Sequence, residues 1–315
     1  PGLILSAPAS GQGKTTVALG LLRALARRGV RVVPAKAGPD FIDPGFHAVA
    51  AGRASLNLDD WGMRNATLAG AVAAAGAGAE LVLCEGAMGL FDGAPGGGGS
   101  TADIAARTGW PVVLVVDVFA QGQSVAALVD GFARWRPDVR IAGCILNRVG
   151  GPGHLRLATE ALAATSIPVL GGLTVARDIA LPERHLGLVL AEELPTLDRI
   201  VERIAERIAA AVDLDALRAL ARPSSLPTGA TGVAVPPPNR LLSARPRPFP
   251  LHPQIHQPQH PSRQQLLCAL ASHHQPRRQP QSLCSWSKRL VRRLLVGRYM
   301  LSNVAIPYRR LHCVL

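Results

Sequence analysis

The chain has 315 residues, enough for one large domain or two ordinary ones, and 48% hydrophobic residues, enough to fill a sizeable core. Its net charge of +13 suits a nucleic-acid binder, but residues 216–315 carry 15 Arg and Lys with no Asp or Glu, leaving 19 basic and 21 acidic residues in 1–215. The body is therefore nearly neutral and stops looking like a nucleic-acid binder, and no signal peptide or unbroken apolar run of about 18 residues argues for a membrane span.

In chain order, residues 2–6 read as a short buried strand, followed by a Gly-rich turn and a helix from Lys14 to Arg28 closed by Gly29. Residues 30–35 form a second strand. Further apolar runs at 80–84, 111–116, 140–146 and 167–170 alternate with helical stretches near 64–76, 101–108, 121–135 and 153–164. Residues 196–221 read as one or two amphipathic helices. Strands alternating with helices predict an α/β fold, a mostly parallel sheet with helices on both faces, of the P-loop NTPase type.

After Arg222 the character changes. Residues 223–315 are rich in Pro, Gln, His, Arg and Ser, and six of the nine His lie there. A folded domain carries charges of both signs, so this basic tail is read as irregular or disordered. Its composition fits a frameshifted reading of GC-rich DNA better than a natural basic arm. The expected organisation is thus a nucleotide-binding domain at 1–222 and a tail at 223–315. The five Cys (Cys84, Cys144, Cys268, Cys284 and Cys313) have no metal-ligand spacing. Cys84 and Cys144 sit in apolar runs and read as core thiols, and a reducing, cytoplasmic setting is expected.

The segment from Ser10 to Thr16, Ser-Gly-Gln-Gly-Lys-Thr-Thr, joins the first strand to the first helix. Gly11 and Gly13 let the backbone turn its N–H groups onto a phosphate chain, and the helix N-terminus adds partial positive charge. Lys14 can reach the β- and γ-phosphates of ATP, and Thr15 can place its hydroxyl on Mg2+. The formal pattern wants Gly six residues before the Lys, where Pro8 stands, so the match covers the Gly-x-Gly-Lys-Thr half. Before residue 216 the only Lys are Lys14 and Lys36. A compact ammonium differs from a guanidinium in reach and hydration, which singles out both positions.

Two acidic loops follow later strands. The segment 36–45, from Lys36 through Asp40 and Asp43 to Gly45, is punctuated by Gly and Pro as a fixed loop; 85–93 runs from Glu85 to Asp92 and Gly93. In a parallel sheet both leave carboxyl ends of strands, the edge where ligands bind. Glu85 stands where a Mg2+-holding carboxylate of a P-loop protein stands.

These motifs, with Leu-Asn-Leu-Asp at 56–59, Ile-Leu-Asn-Arg-Val at 145–149 and Leu-Pro-Glu-Arg-His-Leu-Gly-Leu at 181–188, resemble the cobyrinic (or hydrogenobyrinic) acid a,c-diamide synthases from residue 2 to about 222. The resemblance implies ATP-dependent amidation of two carboxylates of a corrin, through acyl phosphates, with glutamine supplying ammonia. It implies a metal and phosphoryl-transfer cluster of Asp40, Asp43, Glu85 and Asp92, with Thr15, Asp40 and Glu85 on the metal. Lys36 would orient the substrate carboxylate, and Asn147 would meet the adenine edge. The partner is the small corrin; nucleic acid and membrane are not implied, and a homodimer is compatible.

The family continues into a glutaminase domain with a nucleophilic Cys flanked by small residues and a downstream His-x-Glu. None of Cys268, Cys284 and Cys313 has Gly neighbours, and no Glu follows Glu206, so ammonia rather than glutamine is the expected nitrogen source. Two other enzyme classes compete, of which the dethiobiotin-synthetase-like ligases share the sheet and the acyl-phosphate logic. Partition-type ATPases put a second Lys where Ala9 stands, and dethiobiotin-synthetase-like ligases differ in the acidic loops. An adaptor with a nucleic-acid-binding tail is the remaining alternative.

Overall fold

The computed structural model describes residues 1–175 and 190–227. The chain runs β1 (Gly2–Ser6), α1 (Lys14–Arg27), β2 (Val32–Ala37), α2 (Asp43–Ala51), β3 (Leu56–Leu58), α3 (Asn65–Gly76), β4 (Leu81–Glu85), α4 (Thr101–Thr108), β5 (Val112–Asp117), α5 (Val125–Trp135), β6 (Ile141–Val149), α6 (Pro152–Leu162), β7 (Val169–Thr174), a 3-10 turn at Ala191–Glu193, α7 (Leu197–Ala211) and α8 (Leu214–Leu220). The seven strands form one sheet in the order β3-β2-β4-β1-β5-β6-β7, every pairing parallel.

Parallel strands buried on both faces read as unbroken apolar runs, with successive side chains sent to opposite sides. Leu3 and Leu5 of β1, Leu81 and Leu83 of β4, and Val113 and Val115 of β5 face one core with α1, α2, α7 and α8. Ile4, Val82, Cys84, Val112 and Leu114 face the other, with α3, α4, α5 and α6. Cys84 and Cys144 are buried free thiols, as expected, and burial pushes both up to about 12.

Two elements escape the sequence reading. The fixed loop expected at 36–45 becomes α2 at Asp43, since Pro44 fits a first helical turn, Phe46 and Ala50 supply a buried face, and Gly52 ends the helix in the left-handed region at φ 65°. The three residues of β3 are too few to show a period. Lys36, Glu85 and Asn147 also lie inside strand ends rather than in the following loops.

Helix α1 lies closely against α7. A Cβ on Gly20 would stand 2.5 Å from Ile208 Cγ1 and 2.7 Å from Ile204 Cγ2. Arg23, one turn on, pairs with Asp198 and Glu202 of α7 and donates to the Val49 and Ala50 carbonyls of α2. Gly20→Val should therefore overpack this contact and lower stability by about 1–3 kcal/mol, read as a shift of the guanidinium midpoint without a change of slope.

The described residues continue past 222. Ser225 donates its N–H to the Thr108 carbonyl at 2.8 Å and its hydroxyl to the Arg107 carbonyl at 3.0 Å. The expected basic tail beyond 227, and the motif at 181–188, lie outside the described residues. Among the described residues no helix is long and apolar enough to cross a membrane.

Candidate functional site

The carboxyl ends of β1, β2, β4, β5 and β6 converge on the loop 8–13. Gly11 and Gly13 take φ 78° and 87°, and a Cβ on Gly13 would stand 2.3 Å from Asn147 Nδ2, so only glycine fits there. Helix α1 starts at Lys14 with no acidic side chain in its first turn and no side-chain cap. Its first N–H groups are left to an anion.

Lys14 is buried and its ammonium donates to the Met88 carbonyl at 2.5 Å. Burial lowers its pKa, with Glu85 acting against that and Lys36 adding to it. Met88 holds φ 51°, a left-handed conformation unusual for a long side chain, and this conformation marks the turn that meets Lys14.

Thr15 donates its hydroxyl to Glu85 Oε1 at 2.7 Å. Glu85, the last residue of β4, is 1% exposed and uses both oxygens: Lys36 Nζ lies 3.4 Å from Oε1, and His47 Nε2 lies 2.6 Å from Oε2. Burial alone would raise the Glu85 carboxyl, but the His47 hydrogen bond, the Lys36 charge and Thr15 hold it below the usual carboxylate range.

Lys36 is also buried. It pairs with Asp43, lies 3.7 Å from Asp40 Oδ2, and sits 3.4 Å from the Gly86 carbonyl. Burial opposes its charge, yet Glu85 and Asp43 raise its pKa above the ordinary lysine value. Asp43 moves the other way from Glu85: burial and the Glu85 charge push its carboxyl up despite Lys36.

Asp40 has mainly a local task. Its Oδ1 accepts the N–H groups of Ile42 at 2.8 Å and Asp43 at 3.1 Å, setting the entry to α2. Asn57 of β3 donates to its carbonyl at 2.6 Å. Asp92 is exposed and accepts the Gly89 N–H at 2.9 Å, closing its own turn; its charge reaches Lys14 but no hydrogen bond joins it to the Lys36 cluster.

Asn147 donates to the Gln12 carbonyl at 2.9 Å, and the Gln12 side chain accepts the Asp117 N–H at 2.8 Å. Arg148, at φ 56°, pairs with Asp117 and lies 3.4 Å from the Gly11 carbonyl. The ends of β5 and β6 thus latch the phosphate loop. A cleft of about 200 Å³ opens beside it, lined in part by Thr16, Asn147, Arg148, Thr174 and Arg207. Ser10 is exposed on the loop's rim.

The structure therefore brings Thr15, Lys36, Asp40, Asp43 and Glu85 together, sets Lys14 beside them, and keeps Asp92 apart in its turn. Met88, Asp117, Arg148 and above all His47 were missed as site residues. His47 lies four residues after Asp43, which is one helical turn once 43–51 is seen to be a helix. Among the described residues no three His, Cys, Asp or Glu gather as a metal cage.

The CobQ/CobB/MinD/ParA nucleotide binding domain family matches residues 3–188. A hydrogenobyrinate a,c-diamide synthase of Rhodobacter capsulatus is 53% identical over 252 residues, 79% of this chain and 58% of that protein. The enzyme of the same name from Rhizobium meliloti is 50% identical over 222 residues (70% and 52%), and that from Agrobacterium fabrum 46% over 244 (76% and 56%). The chain spans little more than half the length of these curated relatives. With a match over residues 3–188 and a phosphate loop latched at the carboxyl edge of a parallel sheet, the chain belongs to the CobQ/CobB/MinD/ParA nucleotide-binding domain family.

Proposed function

We propose that this chain is an ATP-dependent synthetase that amidates the a and c carboxylates of hydrogenobyrinate or cobyrinate. The observation that carries the reading is a buried lysine among carboxylates, Lys36 with Asp40, Asp43 and Glu85, joined to the phosphate loop by the Thr15–Glu85 hydrogen bond. The names of the relatives support the corrin as substrate.

A carboxylate is a poor acyl donor because oxide is a poor leaving group. Attack of a carboxylate oxygen on the γ-phosphorus of ATP forms an O–P bond and breaks the bond to ADP, giving an acyl phosphate. Ammonia then adds through its lone pair to the acyl carbon, phosphate leaves with the C–O electrons, and the nitrogen loses a proton. The first step joins two anions, so fixed positive charge is what the site must supply. Lys14 rests on a neutral carbonyl, a partner that a phosphate oxygen outcompetes. Lys36, held protonated by its neighbours, orients the incoming carboxylate. Asp43 holds Lys36, Asp40 fixes the entry to α2, and Asp92 fixes the 88–92 turn that carries the Lys14 partner. The cleft beside Thr16 takes the base, with Asn147 at its edge.

Mg2+ is commonly held by one or two carboxylates and the substrate's phosphates rather than by a full protein cage. Thr15, whose proton is engaged by Glu85 and whose lone pairs are free, fits that donor set together with Glu85, and Asp40 is the accessible second carboxylate. When bound with ATP, the ion neutralises charge on the β- and γ-phosphates.

The test is mass spectrometry of the corrin incubated with the full chain, ATP–Mg2+ and ammonium. Two successive carboxyl-to-amide mass changes are expected, with one ADP per amide. With residues 1–315 alone, glutamine should not replace ammonium, because residues 223–315 contain no Glu to complete a glutaminase triad. Asp43→Asn should lower turnover more than ATP affinity. An unchanged corrin in the presence of bound ATP would refute the reading.

A further inference from the structure

A carboxylate has two oxygens, and in a site that presents one of them to a ligand something must hold the other. Glu85 Oε1 faces Thr15 at 2.7 Å and Lys36 at 3.4 Å, while Oε2 is taken by His47 Nε2 at 2.6 Å. The side chains of His47 and Glu85 are each 1% exposed, so no water substitutes for this bond. The other ring nitrogen of His47, Nδ1, lies 3.3 Å from the hydroxyl of buried Ser55, which fixes the ring at both ends.

The backbone explains why the ring arrives there. Asp43 is the first residue of α2 and His47 stands one turn later, so both project from the same face of the helix. Asp43 meets Lys36 and His47 meets Glu85. One short helix therefore braces both halves of the cluster, and the chain Ser55–His47–Glu85–Thr15 runs unbroken from the body of the domain to the phosphate loop.

We propose that His47 is a positioning residue that clamps Glu85 by Oε2, so that Oε1 is presented to Thr15 and to the divalent cation that accompanies ATP. The inference rests on the ATP–Mg2+ reading above. A partner bonded behind a metal-holding group typically changes metal affinity or activity by about 10–100-fold when removed.

The experiment is calorimetry of ATP binding to the full chain, with EDTA and with Mg2+, on the unsubstituted protein and on His47→Ala, His47→Gln, His47→Asn and Ser55→Ala. The unsubstituted chain should bind ATP more tightly with Mg2+. His47→Ala should keep its affinity in EDTA within about 2-fold yet lose about 10-fold or more of the Mg2+-dependent gain. His47→Gln, whose amide nitrogen reaches the Nε2 position, should restore most of the gain. His47→Asn, whose amide reaches only the Nδ1 position, should not, and Ser55→Ala should fall between. In the amidation assay kcat should fall with KM for the corrin unchanged. A full Mg2+ gain in His47→Ala overturns the role of His47 alone. Equal loss in EDTA and Mg2+ in all the His47 variants, His47→Gln included, reduces His47 to packing and also overturns it. An unsubstituted chain that binds ATP but gains nothing from Mg2+ overturns the metal reading beneath it.

Discussion

On the proposed reading, Lys36→Met is expected to lower amidation by about 10²–10³-fold, the order of loss that follows removal of one preorganised donor from an active site. It should also destabilise the fold by about 3 kcal/mol, because breaking a buried pair leaves the opposite charge uncompensated. The figure lies at the low end of that range because Asp40 and Asp43 are partly exposed and can hydrate, whereas Glu85 cannot. The sign with pH follows. Burial and the Glu85 charge already push the Asp43 carboxyl up against Lys36, and Lys36 helps to hold Glu85 down; without Lys36 both carboxyls shift upward, so the folded variant takes up protons more readily as pH falls. The stability gap between variant and parent should therefore be larger at pH 8 than at pH 5 in denaturant melts. A gap that widens on acidification would show that Lys36 does not offset the carboxylates.

Lys14→Ala should behave in the opposite way. Lys14 has a carbonyl as its hydrogen-bond partner, so its removal orphans no charge and the melting midpoint should move little. ATP affinity should fall by about 10–100-fold, the equivalent of a charge-assisted hydrogen bond of roughly 1.5–3 kcal/mol. Calorimetry with ATP measures the first effect and a thermal melt the second. Unchanged ATP affinity would sink the assignment of Lys14 to the phosphates. The two expected results separate the lysines: loss of stability and turnover together for Lys36, and loss of nucleotide affinity alone for Lys14.

Much of this was readable from the residues. Six of the seven described strands announce themselves as short apolar runs, and both lysines stand out against a background of Arg. Gly13 was legible as a residue the loop needs, though the reason is double: a left-handed φ and the approach of Asn147 from β6, a strand far along the chain. Asp40 and Asp43 could not be told apart by spacing, because their difference is one of direction. The Asp40 side chain turns back onto its own loop, and that of Asp43 turns to Lys36. His47 stayed hidden because Pro and Gly disguised the first turn of α2 as loop, and without the helix its one-turn relation to Asp43 has no meaning. Asn147 lines the cleft beside Thr16, but the hold of its amide on the Gln12 carbonyl was not legible, because two segments make that contact and no local pattern connects them.

The placement of β1 has a consequence for how the domain assembles on the ribosome. β1 carries the phosphate loop, and its neighbours are β4 and β5, with Leu3 set against Leu83 and Ile4 against Val112. Both walls of the strand are thus made long after the strand itself, and its outer end is tied later still, by the paired backbone bonds between Gly2 and Arg222. Such remote pairings close slowly, since the entropy of the intervening chain must be surrendered before any contact rewards it. The strand that leads into the phosphate loop therefore gains both of its sheet neighbours only once β5 has been made, more than 100 residues after the loop itself.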